Sequence, residues 1–168
     1  QEVNFYILDY SSRMLKMYKN LPHCGAVLDE DDHDQLDMFF DLLKNIILER
    51  KKMFKRLEVD SYEAANQIEK IPMIFVFIDN IAGLKLSKIG ENYFYELPEI
   101  LKSGMNYGVK YIVSTSHVND ITLRVKQELG NRLTFYMKDK YEYSDVLGCR
   151  CEYLPSILPG RGIANNDG

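Results

Sequence analysis

The sequence predicts an α/β fold built on a mostly parallel sheet covered by helices. Short β-branched and aromatic runs alternate with segments of helical spacing along the whole chain. One of these runs, Met73-Ile74-Phe75-Val76-Phe77-Ile78, has six consecutive apolar residues, the pattern of a strand buried on both faces. A further observation bears on function. Polar residues stand where strands end, at Asp9, at Asp79-Asn80 and at Thr115-Ser116-His117. Open α/β sheets collect their sites at the carboxyl ends of the strands.

The first strand is Val3–Leu8, ended by Asp9. The segment from Ser11 to Leu21 is mixed in character, and Pro22 stops any helix in it. Gly25–Leu28 is a second, weaker strand. Asp29-Glu30-Asp31-Asp32-His33-Asp34 then places five acids in six residues. Two readings stand side by side. The acids cap a helix start and complement its dipole, or they hold a cation, although the Gly and later Glu of a calcium loop are missing.

The helix that follows is the clearest element. Leu36, Phe39, Phe40, Leu43, Ile46, Ile47, Phe54 and Leu57 keep helical spacing from about Asp34 to Leu57. Such a helix is roughly 35 Å long. Its basic run of Arg50, Lys51, Lys52, Lys55 and Arg56 suits a helix C-terminus and reads as a solvated face. After the Met73–Ile78 strand, a helix is expected near Asn92–Asn106, starting or bending at Pro98. Val109–Thr115 is the next buried strand. Asp120 is placed to cap a helix ending near Gly130, Arg132–Met137 reads as a further strand of the sheet, and a helical turn lies around Tyr143–Leu147. The tail from Leu154 is rich in Pro and Gly.

Composition narrows the class. At 168 residues the chain is one domain by length, and 46% apolar residues suffice for a core. With 21 basic against 25 acidic side chains, the net charge of −4 excludes a disordered tail and argues against a basic nucleic-acid module. Three cysteines make no disulfide framework and fit a reducing compartment. Cys149-Arg150-Cys151 is too closely spaced and too isolated for a zinc site. No apolar run approaches membrane-spanning length. The chain opens on Gln1 with a strand beginning at Val3, so it reads as a piece of a larger protein.

Asp79 is the most informative residue. A charge directly after a buried strand is costly to desolvate without a partner. P-loop nucleotidases place an Asp there for the magnesium shell; the alternative is a strand-end Asp that caps the next turn. The acid that usually follows and orients the attacking water is Asn80 here, and Asn cannot take a proton. The chain contains no Gly-Lys pair, so no phosphate loop of the G-x-x-x-x-G-K-[ST] type is present in it.

The order of short motifs resembles the motor domains of the FtsK/SpoIIIE family over nearly the whole chain. The pieces are Phe5-Tyr6-Ile7-Leu8-Asp9; Leu21-Pro22-His23; Glu49-Arg50-Lys51-Lys52-Met53-Phe54; the strand ending at Asp79; the sensor strand ending at Thr115-Ser116; Lys126 through Arg132; Ser144-Asp145-Val146-Leu147-Gly148; and Pro159-Gly160-Arg161-Gly162. The departures, Asn80 for an acid and Ser116 for an amide, resemble the degenerate later ATPase domains of the EssC/EccC family of type VII secretion.

That resemblance implies a P-loop NTPase (RecA-like) three-layer sandwich. Residues 1–168 would form one FtsK/SpoIIIE-type ATPase domain whose P-loop strand is upstream of, or absent from, this chain. It implies ATP and Mg2+ as ligands, weakly bound, with Asp79 toward the metal, Thr115 toward the nucleotide, and Asn80 and Ser116 in the water-handling positions. Whether ATP is hydrolysed is left open. Arg161 serves as an arginine finger or caps a turn, and His117 approaches a γ-phosphate or is an ordinary loop residue. His23 is a packing or hydrogen-bonding residue. Implied partners are other ATPase domains of the same polypeptide, small helical WXG-type secreted substrates and identical copies in a hexamer, with nucleic acid disfavoured. The implied location is the cytoplasmic part of a membrane-anchored bacterial protein. The competing readings are an active DNA translocase and an interaction module that kept only the fold. The fold requires Asp79 and Thr115 to lie at the same end of neighbouring strands.

Overall fold

The computed structural model describes residues 2–151 and 154–165. They fall into two compact units, one ending at Ser116 and one beginning at His117.

The first unit contains the sheet. Its strands are β1 (Val3–Asp9), β2 (Cys24–Leu28), β3 (Met73–Asp79) and β4 (Val109–Val113), in the order β2-β1-β3-β4 and all parallel. Its helices are α1 (His33–Leu57), α2 (Tyr62–Ile68), α3 (Ile81–Leu86) and α4 (Gly90–Met105), and a 3-10 turn spans Met14–Asn20. The expected parallel α/β architecture is present.

Register shows how the core is built. Tyr6 pairs with Val76 and Val76 with Tyr111, so these three side chains share one face. Both long helices pack there. Phe39 of α1 meets Tyr6 at 5.3 Å between ring centroids, and Phe40 of α1 stacks on Tyr93 of α4 at 4.0 Å. The Tyr111 hydroxyl donates to the carbonyl of Ile100 in α4 at 3.2 Å. A Cβ at Gly104 would sit 2.6 Å from that hydroxyl, so this helix comes close only because residue 104 has no side chain. Ile74, Val76 and Ile78 on this face are buried. The opposite face differs from expectation. Phe75 and Phe77 are only half-buried and Ile112 is 49% exposed, because both long helices lie on the other side. Among the described residues, the outer edge of β4 pairs with no strand.

A smaller core closes the base of this unit. Phe54, Tyr62, Ala65 and Ile71 are buried together there. Arg50 corrects the reading of a fully solvated basic face. It is 6% exposed and donates to the carbonyls of Tyr107 and Pro72, both at 2.5 Å. Pro72 directly precedes β3 and Tyr107 lies two residues before β4, so one guanidinium ties α1 to the approaches to two strands. Burial lowers its pKa, although a guanidinium stays charged in any protein. Lys51, Lys52, Lys55 and Arg56 are exposed as expected.

The acidic cluster does open α1, but not by capping its N–H groups. Asp32, the residue before the helix, makes no side-chain cap. Its carboxylate accepts from the N–H of Asp29, and Asp29 accepts from the N–H of Asp31, which closes a self-contained turn. The cations beside the cluster are protein side chains. Lys16 Nζ is 2.6 Å from the buried Asp29 carboxylate, and Arg13 reaches Glu30 and Asp31.

In α4, Pro98 lies inside the helix, and the helix starts at Gly90. Two short helices, α2 and α3, lack the length for a legible period. Ser61 caps α2 by accepting from the N–H of Ala64.

The second unit contains α5 (Leu123–Glu128), α6 (Lys140–Leu147) and a hairpin of β5 (Leu133–Thr134) with β6 (Ile163–Ala164). The expected strand Arg132–Met137 is thus two residues long, and its ladder is antiparallel and separate from the main sheet. The flanking residues leave the ladder because their donors go elsewhere. The Arg132 N–H goes to the Asn165 side chain at 2.6 Å, and the Met137 N–H goes to the Tyr143 hydroxyl at 2.6 Å. Asp120 does not cap α5; Thr122 does, accepting from the N–H of Val125 at 3.4 Å.

Candidate functional site

The carboxyl ends of β1, β3 and β4 converge on one small group of side chains. Asp79 ends β3, and Ser114 follows β4 on the neighbouring parallel strand. The Ser114 hydroxyl donates to Asp79 Oδ1 at 2.6 Å, a charge-assisted bond. Ser114 Oγ in turn accepts the N–H of Asn80 at 2.9 Å. The backbone holds Ser114 from both sides: its N–H donates to Ile78 O at 2.9 Å, and its carbonyl accepts from Ile81 at 3.0 Å. Asp79 and Thr115 therefore lie at the same end of adjacent strands, as the fold requires.

Asn80 takes a left-handed conformation, with φ 64°. Asn tolerates it better than most side chains because its short amide can bond locally. Its amide nitrogen donates to Tyr10 O at 3.0 Å, across to the loop after β1. Gly83 of α3 seals the same contact, since a Cβ there would meet Tyr10 Cβ and Tyr10 O at 2.7 Å. Burial pushes the Tyr10 hydroxyl pKa up, and a hydrogen bond with Ser87 offsets part of that. Asn80 is thus committed to holding two strand ends together.

Asp9 looks like a second acid of the same site, being the register partner of Asp79. Its environment is different. It is 1% exposed, and its two oxygens accept from the N–H groups of Ser11, Arg13 and Leu15 at 3.3, 3.1 and 2.9 Å. Asp9 folds the turn at Met14–Asn20 and has no open face.

The other candidate residues are placed as follows. Thr115 is half-buried and Ser116 is exposed, directly beyond Ser114. His117 and Arg161 are exposed residues of the second unit. There Arg161 donates its N–H to Leu158 O at 3.2 Å after Gly160, whose φ is 79°. Arg161 lines an apolar groove of 390 Å³ with Phe135, Tyr136, Ile157 and Leu158. His23 is exposed, and its carbonyl accepts from the N–H of Phe5 at 2.9 Å. Sequence reasoning missed Ser114 as a partner of Asp79. The available signal was a hydroxyl directly before Thr115, at the end of β4.

Among the described residues no group of three or more His, Cys, Asp or Glu is placed to hold a metal ion, so Asp79 would meet a cation as a lone carboxylate. Asp79 is half-buried, held by one hydroxyl at one oxygen, and stands at the sheet end where such sites form.

Comparison with known proteins agrees with the parallel α/β fold. The profile of the FtsK/SpoIIIE family matches residues 1–151. The ESX secretion system protein EccC of Geobacillus thermodenitrificans is 25% identical over 99% of this chain, and the chain spans 11% of that protein's length. The type VII secretion system protein EssC of Staphylococcus aureus is 24% identical with the same coverage. Among solved structures, EssC (ATPases 2 and 3) from Geobacillus thermodenitrificans superposes with a TM-score of 0.89 at 25% identity, over 99% of this chain and 32% of that one. EccC (ATPases 2 and 3) of Thermomonospora curvata, in complex with a signal sequence peptide, gives 0.83 at 22% identity over 99% of this chain and 31% of its own. The chain thus spans about a ninth of the curated relatives that it matches.

Proposed function

The chain belongs to the FtsK/SpoIIIE family, and on that premise we propose that it is a degenerate nucleotide-binding motor domain of a type VII secretion ATPase. The observation that carries the reading is the set of bonds from Ser114 and Tyr10 to Asp79 and Asn80. It keeps a carboxylate at the metal position and occupies the neighbouring amide with a structural bond.

In this reading Asp79 holds the magnesium shell of bound ATP, and Thr115 faces the nucleotide. When bound, the metal would supply positive charge to offset that of the phosphates. Among the described residues, the side chains bonded at Asp79 and Asn80 supply a hydroxyl and an amide and no general base. Asn80 is chemically unable to take a proton, and Ser116 replaces the usual amide. Loss of a general base lowers a rate by about 10²- to 10⁴-fold. Hydrolysis by this domain is therefore slow, and binding survives better than turnover.

A phosphate loop, where the protein has one, would come from outside these 168 residues, which contain no Gly-Lys pair. Its strand would lie along the open edge of β4. By likeness to a relative solved with two ATPases, the rest of the polypeptide supplies further ATPase domains, and a membrane anchor in it is part of the same proposal. The domain would regulate or recruit small helical WXG-type substrates, and a hexamer is the assembly the family suggests. A neighbour solved with a signal sequence peptide supports substrate recognition by this class of domain. Arg161 reaches a neighbouring subunit in that assembly.

The test is nucleotide binding and turnover by the full-length protein with and without Asp79→Ala. The expected result is magnesium-dependent ATP binding that Asp79→Ala weakens, with little turnover assignable to this domain. Fast hydrolysis at this domain, abolished by Asp79→Ala, would instead favour an active DNA translocase.

A further inference from the structure

Asp79 has a partner whose position within the site goes beyond strand-end capping. Ser114 Oγ accepts the Asn80 N–H at 2.9 Å and donates to Asp79 Oδ1 at 2.6 Å. An ionised carboxylate can only accept, so the hydroxyl proton lies on the bond to Asp79 while a lone pair of the same oxygen takes the N–H. The backbone on both sides of Ser114 is tied to Ile78 and Ile81, so the side chain has a fixed base. Asp79 is thereby turned about its own χ angles into one orientation, with Oδ1 engaged by protein.

We propose that Ser114 is a positioning residue that presents Asp79 Oδ2 to the magnesium ion of a bound nucleotide. This rests on the nucleotide-site reading given above. Partners that orient a ligating carboxylate are worth about 10- to 100-fold in metal affinity. A free Asp79 would spread its two oxygens over several rotamers, and the metal would have to select one. Ser114 makes that selection before the metal arrives. Thr has the same hydroxyl on the same carbon, and residue 114 is exposed, so its extra methyl is accommodated.

A purely structural cap would make a different prediction. It would affect the turn at Asn80 and the stability of the strand ends, without regard to metal. The two roles separate in one experiment on the full-length protein carrying wild-type, Ser114→Ala or Ser114→Thr residues. Hydrogen exchange at the Asn80 amide is measured without nucleotide. ATP-analogue affinity is then measured with Mg2+, with Mn2+ and with EDTA, and bound Mn2+ is followed by its EPR signal.

The expected result has three parts. Ser114→Ala speeds exchange at Asn80 and lowers the metal-dependent affinity about tenfold. It leaves the affinity in EDTA unchanged. Ser114→Thr restores both the protection and the metal dependence. Wild-type protection at Asn80 that Ser114→Ala leaves intact overturns the proposal at its geometric base. So does equal weakening with and without metal, which assigns Ser114 a structural role alone. If exchange behaves as expected but the wild type binds nucleotide with no metal dependence, the nucleotide reading of the site falls, and Ser114's role toward the metal falls with it.

Discussion

Asp9 and Asp79 are partners in register on neighbouring parallel strands, and they have opposite environments. Asp9 is buried and accepts three backbone N–H groups, while Asp79 is half-buried and accepts one hydroxyl. Two carboxylates one strand apart therefore divide into a folding residue and a candidate ligand. Asp9→Ala should destabilise the protein by about 3 kcal/mol, since it orphans several donors at once. Asp79→Ala should change stability by less than about 1 kcal/mol and act on metal-dependent binding. Denaturant unfolding of the two variants checks this, and equal losses would contradict the division.

Arg50 offers a second stability test. Its guanidinium bridges the carbonyls of Pro72 and Tyr107 with no carboxylate nearby among its bonds. Arg50→Ala should cost about 3 kcal/mol, from two unmet acceptors and a cavity. Arg50→Lys should recover less than half of it, because one ammonium cannot match the planar fork. A Lys variant as stable as wild type would refute the two-carbonyl bridge.

Asn80→Glu restores the acid expected of active relatives, yet it should not restore turnover. Glu at a φ of 64° is strained by about 1 kcal/mol, and its carboxylate would face the Tyr10 carbonyl in place of a donor. The expected outcome is lower stability with turnover still slow. A large rise in ATP hydrolysis by the full-length variant would show that the residue, and not its setting, is limiting.

Acid should loosen the link between β1 and β2. Burial alone would raise the Asp29 pKa, but the Lys16 ammonium, the Asp31 N–H and the Arg13 charge bring it below the usual carboxylate value. A depressed folded-state pKa adds stability above the unfolded value, and that stability is lost as pH falls through the folded value. Unfolding midpoints should therefore drop as pH falls below about 4. A Lys16→Met protein should show a smaller drop, and identical profiles would rule the pair out as the cause.

Much of this was legible in the chain itself, for identifiable reasons. Met73–Ile78 could be read as a central strand because six apolar residues fit little else, and α1 because its period repeats over seven turns. The positions of Asp79 and Thr115 followed from the ends of the strands read at Met73–Ile78 and Val109–Thr115. Leu133–Thr134 could not be assigned to its hairpin, because pairing partners are set by distant donors such as the Asn165 side chain. The bonds of Ser114 and Asn80 were hidden for a related reason. Each spans more than thirty residues of sequence and exists only through the register of β1, β3 and β4.

The bare flank of β4 has a practical consequence for anyone handling these 168 residues by themselves. Five residues of parallel backbone stand ready to recruit an extended chain, at about 3.3 Å per residue. In isolation the polypeptide should become turbid or self-associate as concentration rises. A synthetic peptide bearing the complementing strand, added in trans, should keep it dispersed.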